Sequence, residues 1–284
     1  MLKTILVPLD GSPAAEAVLP YVELLASRTG AEVKLLTVTD EDATASDYLD
    51  DVAAELTSRS LACSARTVSG GEAEAILDEA DAISADLIAM STHGRSGVVR
   101  WILGSVASKV LHGSARPLLL VRARDSREDA APAIERILVP LDGSQTSLAV
   151  LPYVEELAAA LGARLVLLNV VPPLDLYPGV GTGAAQLGSL MEDLHKQAQA
   201  FLDQVAAEIE GRGGASAQTV VTTGFPIDEV SRVGRDVDAR LIAMATHGRS
   251  GVDRWVVGSV ADGVVRRSPL PCLLIRPDRT PPAV

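Results

Sequence analysis

Two copies of an open, five-stranded parallel α/β sheet with helices on both faces is the fold this sequence predicts. Three observations lead there. Ile5-Leu6-Val7-Pro8-Leu9-Asp10-Gly11-Ser12 returns letter for letter at 137–144, and Met90-Ser91-Thr92-His93-Gly94-Arg95-Ser96-Gly97 returns at 244–251 with only Ser91 changed, to Ala245. Short aliphatic runs alternate with amphipathic stretches at the spacing of right-handed β-α-β crossovers. Finally, the 284 residues are 48% hydrophobic but only 3% aromatic, so each core is aliphatic, as where helices cover a parallel sheet of unbroken aliphatic strands.

Taken in order, residues 5–9 are a strand that ends in an acidic turn. Ser12-Pro13 then supplies an N-cap and a proline at the first helical position. The helix that follows turns Val18, Val22 and Leu25 to one face, and Pro20 inside it predicts a kink. A second strand at 32–39, a helix at 47–60 with Leu49, Val52, Ala53 and Leu56 inward, and a third strand at 61–68 follow. Residues 72–83 are a helix and 86–90 a fourth strand, after which comes the glycine loop. A last helix opens at Gly104-Ser105, stops before Pro117, and leads into a fifth strand at 118–121.

Domain boundaries are expected at 1–123 and 134–278, with a charged linker at 124–133 and a tail at 279–284. Residues 149–155 repeat 17–23, internal proline included. Between the acidic turn and the glycine loop the second half holds about 22 extra residues. Most fall at 172–183, between a strand at 165–171 and a helix at 187–209, and form either a surface insertion or a lid.

A net charge of −12 without a basic patch argues against nucleic acid and anionic membrane as partners. Cys63 and Cys272 lie among apolar neighbours without metal-ligand spacing and read as buried thiols in a reducing compartment. The start of the chain shows no signal-length apolar segment and no run approaches a membrane span, so the expected location is cytoplasmic, with no membrane association.

Asp10, Val38 and Met90 end the first, second and fourth strands, which brings them to the carboxyl edge with the glycine loop and the Gly104-Ser105 helix start. In open parallel sheets, ligands sit at that edge where the strand order reverses. The acid suits ribose hydroxyls, the backbone near Val38 an adenine edge, and the glycines with Ser105 a phosphate. The Walker loop and the G-x-G-x-x-G pattern after the first strand are both absent.

The opening Ile-Leu-Val-Pro-Leu-Asp-Gly-Ser, the Thr-His-Gly-Arg-Ser-Gly loop and the Gly-Ser-Val-Ala helix start, each present twice, resemble the universal stress protein family as a tandem pair covering nearly the whole chain. The resemblance implies an adenine-nucleotide alpha-hydrolase-like, Rossmann-like fold and bound ATP, with ADP or AMP as alternatives, in members carrying G-x2-G-x9-G-[ST]. Gly94 with Gly104 and Ser105, and Gly248 with Gly258 and Ser259, match that motif across its nine-residue spacer. Ser91 and Ala245 stand where its first glycine belongs.

The implied nucleotide set in the first half is Pro8, Leu9, Asp10, Val38, Met90, Gly94, Gly104, Ser105 and Val106. In the second half it is Pro140, Leu141, Asp142, Val170, Met244, Gly248, Gly258, Ser259 and Val260. Asp10 and Asp142 are the candidate ligands of a nucleotide-borne magnesium, and no other metal site or catalytic residue is expected. His93 and His247 read as loop-fixing residues ahead of a general base or a phosphate contact, Arg95, Arg100, Arg249 and Arg254 as either phosphate partners or solvated charge, Trp101 and Trp255 as anchors of the loop or an interface ahead of base-stacking platforms, and His112 and His195 as surface helix residues.

The function implied is that of an ATP-binding, nucleotide-responsive stress protein. Two other readings stay open: a weak ATPase or phosphotransfer enzyme, and an interaction module without nucleotide. The resemblance also implies an internal pseudo-dimer joined through the strands at 118–121 and 273–275, further pairing as a homodimer, and a protein partner that the sequence does not identify.

Overall fold

The computed structural model describes residues 2–39, 44–92, 103–123, 133–173, 184–246 and 257–276, and their side chains except at 44–46 and 184–187. The described residues divide into two compact units, one from Met1–Ala133 with Pro271–Arg276, the other from Ile134–Val252 with Gly258–Leu270.

In the first unit, β1 (Thr4–Pro8), β2 (Glu32–Val38), β3 (Cys63–Val68), β4 (Leu87–Ser91) and β5 (Leu118–Val121) are all parallel, in the order β3-β2-β1-β4-β5. Ile5 therefore faces Val33 on one side and Leu87 on the other, and strand order reverses between β1 and β4. The helices are α1 (Pro13–Glu16), α2 (Leu19–Thr29), α3 (Thr44–Ser58), α4 (Glu72–Ala82) and α5 (Ser105–Gly113). Every residue of β4 and β5 is buried, as their unbroken aliphatic runs require of strands covered on both faces.

The second unit repeats this plan. β6 (Arg136–Pro140), β7 (Arg164–Val171), β8 (Ala217–Thr223) and β9 (Leu241–Ala245) stand parallel in the order β9-β6-β7-β8. Its helices are α6 (Gln145–Leu148), α7 (Leu151–Leu161), α8 (Ala184–Gly211), α9 (Pro226–Asp236) and α10 (Ser259–Arg267). The last strand, β10 (Cys272–Ile275), groups with the first unit. It runs antiparallel to β5, with Cys272 opposite Leu120, Leu273 opposite Leu119 and Leu274 opposite Leu118.

Two expectations are corrected. Pro20 does not kink a helix; the helix breaks before it. α1 ends at Glu16 and α2 begins at Leu19, so Pro20 occupies a first turn, where a missing N–H costs nothing. Val18 bridges the break, its carbonyl accepting from the N–H groups of Tyr21 (3.0 Å) and Val22 (3.1 Å). Pro152 sits in the same way at the start of α7. Cys63 is only half-buried, because β3 is an edge strand in which no residue is fully buried. Cys272 is buried. Of the expected loop at 172–183 and linker at 124–133, residues 174–183 and 124–132 lie outside the described residues, as does the tail.

Burial pushes the Cys63 thiol up to about 11 and the Cys272 thiol up to about 12, from an ordinary value of 9.0. With so little thiolate, alkylation of the native protein at pH 8 is expected to be at least tenfold slower than for a free thiol at Cys63 and slower still at Cys272. Fast labelling of Cys272 without unfolding would contradict this burial. Since the folded state holds both protons more tightly than the unfolded chain, this stabilisation is complete below pH 9 and is lost only as pH rises towards 11–12.

One polar contact at the sheet's start was not legible in the sequence. The Asp86 carboxylate accepts from the backbone N–H groups of Lys3 (2.8 Å) and Thr4 (2.9 Å), tying the entry of β1 to that of β4. Asp86→Ala removes two charge-assisted bonds, and urea unfolding is expected to show a loss of about 1–3 kcal/mol.

Candidate functional site

The carboxyl edge of each parallel sheet is shaped by the repeated acidic turn. In the first unit, pairing continues one residue beyond β1 as Leu9 N–H donates to the Leu36 carbonyl (2.8 Å), and the chain then turns through Gly11 at φ +79°. Only glycine adopts that left-handed conformation without strain. The turn brings Ser12 back onto Asp10, so that its N–H (2.9 Å) and hydroxyl (2.6 Å) both donate to Asp10 Oδ1. Ser12 Oγ in turn accepts from Ala15 N–H at 3.1 Å and caps α1.

The second unit reproduces this geometry. Gly143 turns at φ +83°, Ser144 donates to Asp142 Oδ1 at 2.9 and 2.6 Å, and Ser144 Oγ accepts from Ser147 N–H at 3.1 Å. The carbonyl before each acid is also held, by the Thr37 hydroxyl on Leu9 and by the Asn169 amide on Leu141, each at 2.8 Å. Each aspartate is thus fixed in orientation before any ligand arrives, which lowers the entropic cost of binding.

The described residues on either side of each glycine loop are joined by a hydrogen bond. Gly104 N–H donates to the Thr92 carbonyl at 2.8 Å, and Gly258 N–H to the Thr246 carbonyl at 2.6 Å. Gly104 and Gly258 are the N-caps of α5 and α10, and neither helix has a side-chain cap. The first intrahelical donors are Ser108 and Asp262, so the amides of the preceding turn, including those of Ser105, Val106, Ser259 and Val260, present the positive end of each helix to the sheet edge.

Ser91 and Ala245, the departures from the glycine motif, end β4 and β9 and are each 6% exposed. Neither has positive φ, so a Cβ fits without backbone strain. His93, Gly94, Arg95, Arg100 and Trp101 lie outside the described residues. So do His247, Gly248, Arg249, Arg254 and Trp255.

In the second unit the edge opens into a cavity of about 570 Å³. Pro140, Leu141, Asp142, Val170, Met244, Gly258, Ser259 and Val260 all line it, so every described second-half residue predicted from sequence meets there. In the first unit Pro8 and Val38 end β1 and β2, Met90 stands one residue before the end of β4, Leu9 and Asp10 follow β1, and Gly104 caps α5 ahead of Ser105 and Val106. Leu9, Met90, Leu141 and Met244 are buried, so these positions meet the edge chiefly through backbone. Among the described residues, no group of three or more His, Cys, Asp or Glu is placed to hold a metal ion.

Sequence reasoning missed much of the cavity's wall. Leu194, Gln197, Ala198 and Phe201 reach it from α8, Pro226 and Val230 from α9, and Ser147 and Asn169 from beside the acidic turn. Ser147 could have been found by comparing the repeats, since Ala15 takes its place in the first copy.

The profile of the universal stress protein family matches residues 1–122 and again 133–276. This chain belongs to that family. Among its relatives, universal stress protein MJ0531 of Methanocaldococcus jannaschii is 30% identical over 143 residues, which is 50% of this chain and 82% of the relative. A universal stress protein from Archaeoglobus fulgidus shares the fold at TM-score 0.69 and 20% identity, over 97% of this chain and 98% of its own. A functionally unknown protein, PA1789 from Pseudomonas aeruginosa, does so at TM-score 0.75 and 19% identity, over 98% and 93%. The family match thus occurs twice, in tandem, and each copy contains one of the two acidic turns and one of the two glycine-capped helices.

Proposed function

We propose that this universal stress protein is a nucleotide-responsive regulator that binds ATP at the carboxyl edge of its sheets. The observation that carries this reading is the second-unit cavity, which gathers a pre-oriented carboxylate, a strand end and an uncapped helix N-terminus around one space. Its volume of about 570 Å³ lies within the range of small-molecule sites. Asp142 accepts from ribose hydroxyls, the backbone at Val170 meets the adenine edge, and the first-turn amides of α10 with the Ser259 hydroxyl hold phosphate. Magnesium, where present, comes with the nucleotide. The protein works in the cytoplasm, and no described helix is long and apolar enough to cross a membrane.

Titration with a fluorescent ATP analogue tests the reading. Asp142→Ala removes bonds to a charged acceptor worth about 1.5–3 kcal/mol, so affinity is expected to fall roughly 10- to 150-fold. Ser144→Ala, which loosens the turn but keeps the carboxylate, should lose less. Absence of saturable binding, or equal affinity in Asp142→Ala, would overturn the assignment.

The internal pairing of the repeats and the pairing of two chains are proposed with it, supported by the antiparallel union of β10 with β5. A chain cut near Asp125 should still elute as one species on a sizing column.

A further inference from the structure

The carbonyl before each acidic turn is held by a different side chain in each repeat, Thr37 on Leu9 and Asn169 on Leu141. The two positions are equivalent. Each stands 28 residues after the leucine it holds and one residue before the valine assigned to the adenine edge. A threonine hydroxyl spends its single proton on that carbonyl, whereas an asparagine amide spends one N–H and keeps a second N–H and a carbonyl oxygen.

Asn169 lines the second-unit cavity yet is only 8% exposed. Its Oδ1 accepts from no described residue and is not sealed from solvent, so it opens on the cavity. Ser147, also buried in that wall, serves the turn itself: its hydroxyl donates to the Ser144 carbonyl at 2.9 Å and accepts from Asp142 N–H at 3.3 Å. Apart from the exposed Gln197, the residues that β7 and α8 bring alongside Asn169 are apolar. One open acceptor in an apolar wall suits the polar edge of a flat, otherwise apolar ring.

The direction of the amide is fixed as well. Turned over, it would set Oδ1 against the Leu141 carbonyl, acceptor against acceptor, so Nδ2 must face Leu141 and Oδ1 the cavity. An unbraced amide can suit either kind of purine by turning over, and the bond to Leu141 removes that freedom.

We propose that Asn169 selects the base in the second half: its fixed Oδ1 accepts from the 6-amino group of adenine and disfavours 6-oxopurines, whose O6 sets a second acceptor against it. This rests on the nucleotide reading above and adds which side chain chooses the base.

Calorimetric titration with ATP and with inosine triphosphate, in which a carbonyl replaces the 6-amino group, tests it on the full-length chain carrying Gly104→Asp. Gly104 is the N-cap of α5 at φ −57° and ψ 153°, the counterpart of Gly258, so this change closes the first half and leaves the second to be measured alone. The second half is expected to bind ATP roughly 5- to 150-fold more tightly than inosine triphosphate, a comparison that needs no change at Asn169. Adding Asn169→Thr puts in the side chain that holds Leu9 in the first repeat, so the brace and the fold are kept while the amide is withdrawn. ATP should then bind more weakly and inosine triphosphate should not, and the ratio is expected to fall at least about fivefold. A brace alone would weaken both nucleotides equally. Equal affinity for the two before that change, or a ratio that Asn169→Thr leaves as it was, would overturn the selection by Asn169 alone. Binding of neither nucleotide would instead overturn the nucleotide reading, and the selection with it.

Discussion

A Gly258→Asp substitution is expected to weaken ATP binding at least a hundredfold while leaving the protein as stable as before or slightly more so. Gly258 is the N-cap of α10 at φ −59° and ψ 144°, angles open to any residue, and no side chain caps the helix there. Asp is among the preferred N-cap residues and gains a few tenths of a kcal/mol over glycine by accepting from first-turn amides, with a further ~0.3–1 kcal/mol from the helix dipole. Repulsion from Asp262 in the same turn takes back part of this. Those amides are the ones assigned to phosphate. The new carboxylate both occupies them and repels the ligand, and two unit charges ~4 Å apart interact by about 4 kcal/mol at an effective dielectric of 20. A hundredfold loss requires only about 2.7 kcal/mol. Calorimetric titration and thermal unfolding measured together are decisive. Unchanged affinity would remove phosphate from α10, and a parallel fall in Tm would mean that the glycine serves packing instead.

Truncation after Leu270 is expected to destabilise the protein by several kcal/mol and to make it aggregate, because β10 has a hydrogen-bonded strand on each side. β10 buries Cys272, Leu273, Leu274 and Ile275, each at most 7% exposed, and pairs with β5. Each such side chain contributes about 1.5–3 kcal/mol on burial. Its loss also leaves the backbone of β5 as an open, wholly apolar edge, a template for pairing with other chains. Light scattering with urea unfolding reads both effects. A truncated protein that stays monodisperse and keeps its unfolding midpoint would show that β10 is dispensable to the unit it joins.

Much of this was legible because the chain repeats itself. Unbroken runs such as Leu118 to Val121 mark buried parallel strands, and the copied Asp-Gly-Ser turns and Gly-Ser-Val-Ala helix starts mark which strand ends share an edge. What stayed hidden depended on packing. Pro20 is compatible with a kink or a break, and the hydrogen bonds accepted by Val18 decide between them. Leu194 and Phe201 read as ordinary members of an apolar helical face, and only their placement over β7 and the acidic turn makes them cavity wall. Cys63 has apolar neighbours in sequence, yet its exposure depends on β3 standing at the sheet's edge. Glu16 and Tyr48 are 32 positions apart, and nothing local announces the hydrogen bond between them.

The union of β5 with β10 also sets an order of events during synthesis. Val121 leaves the ribosome long before Cys272 does, and at ~5–20 residues per second the delay is roughly 8–30 s. Through that interval the first repeat carries an unpaired apolar edge while the second is being made. A nascent chain arrested within the second repeat should therefore engage chaperones that recognise exposed strands, and release them once residues 272–275 emerge.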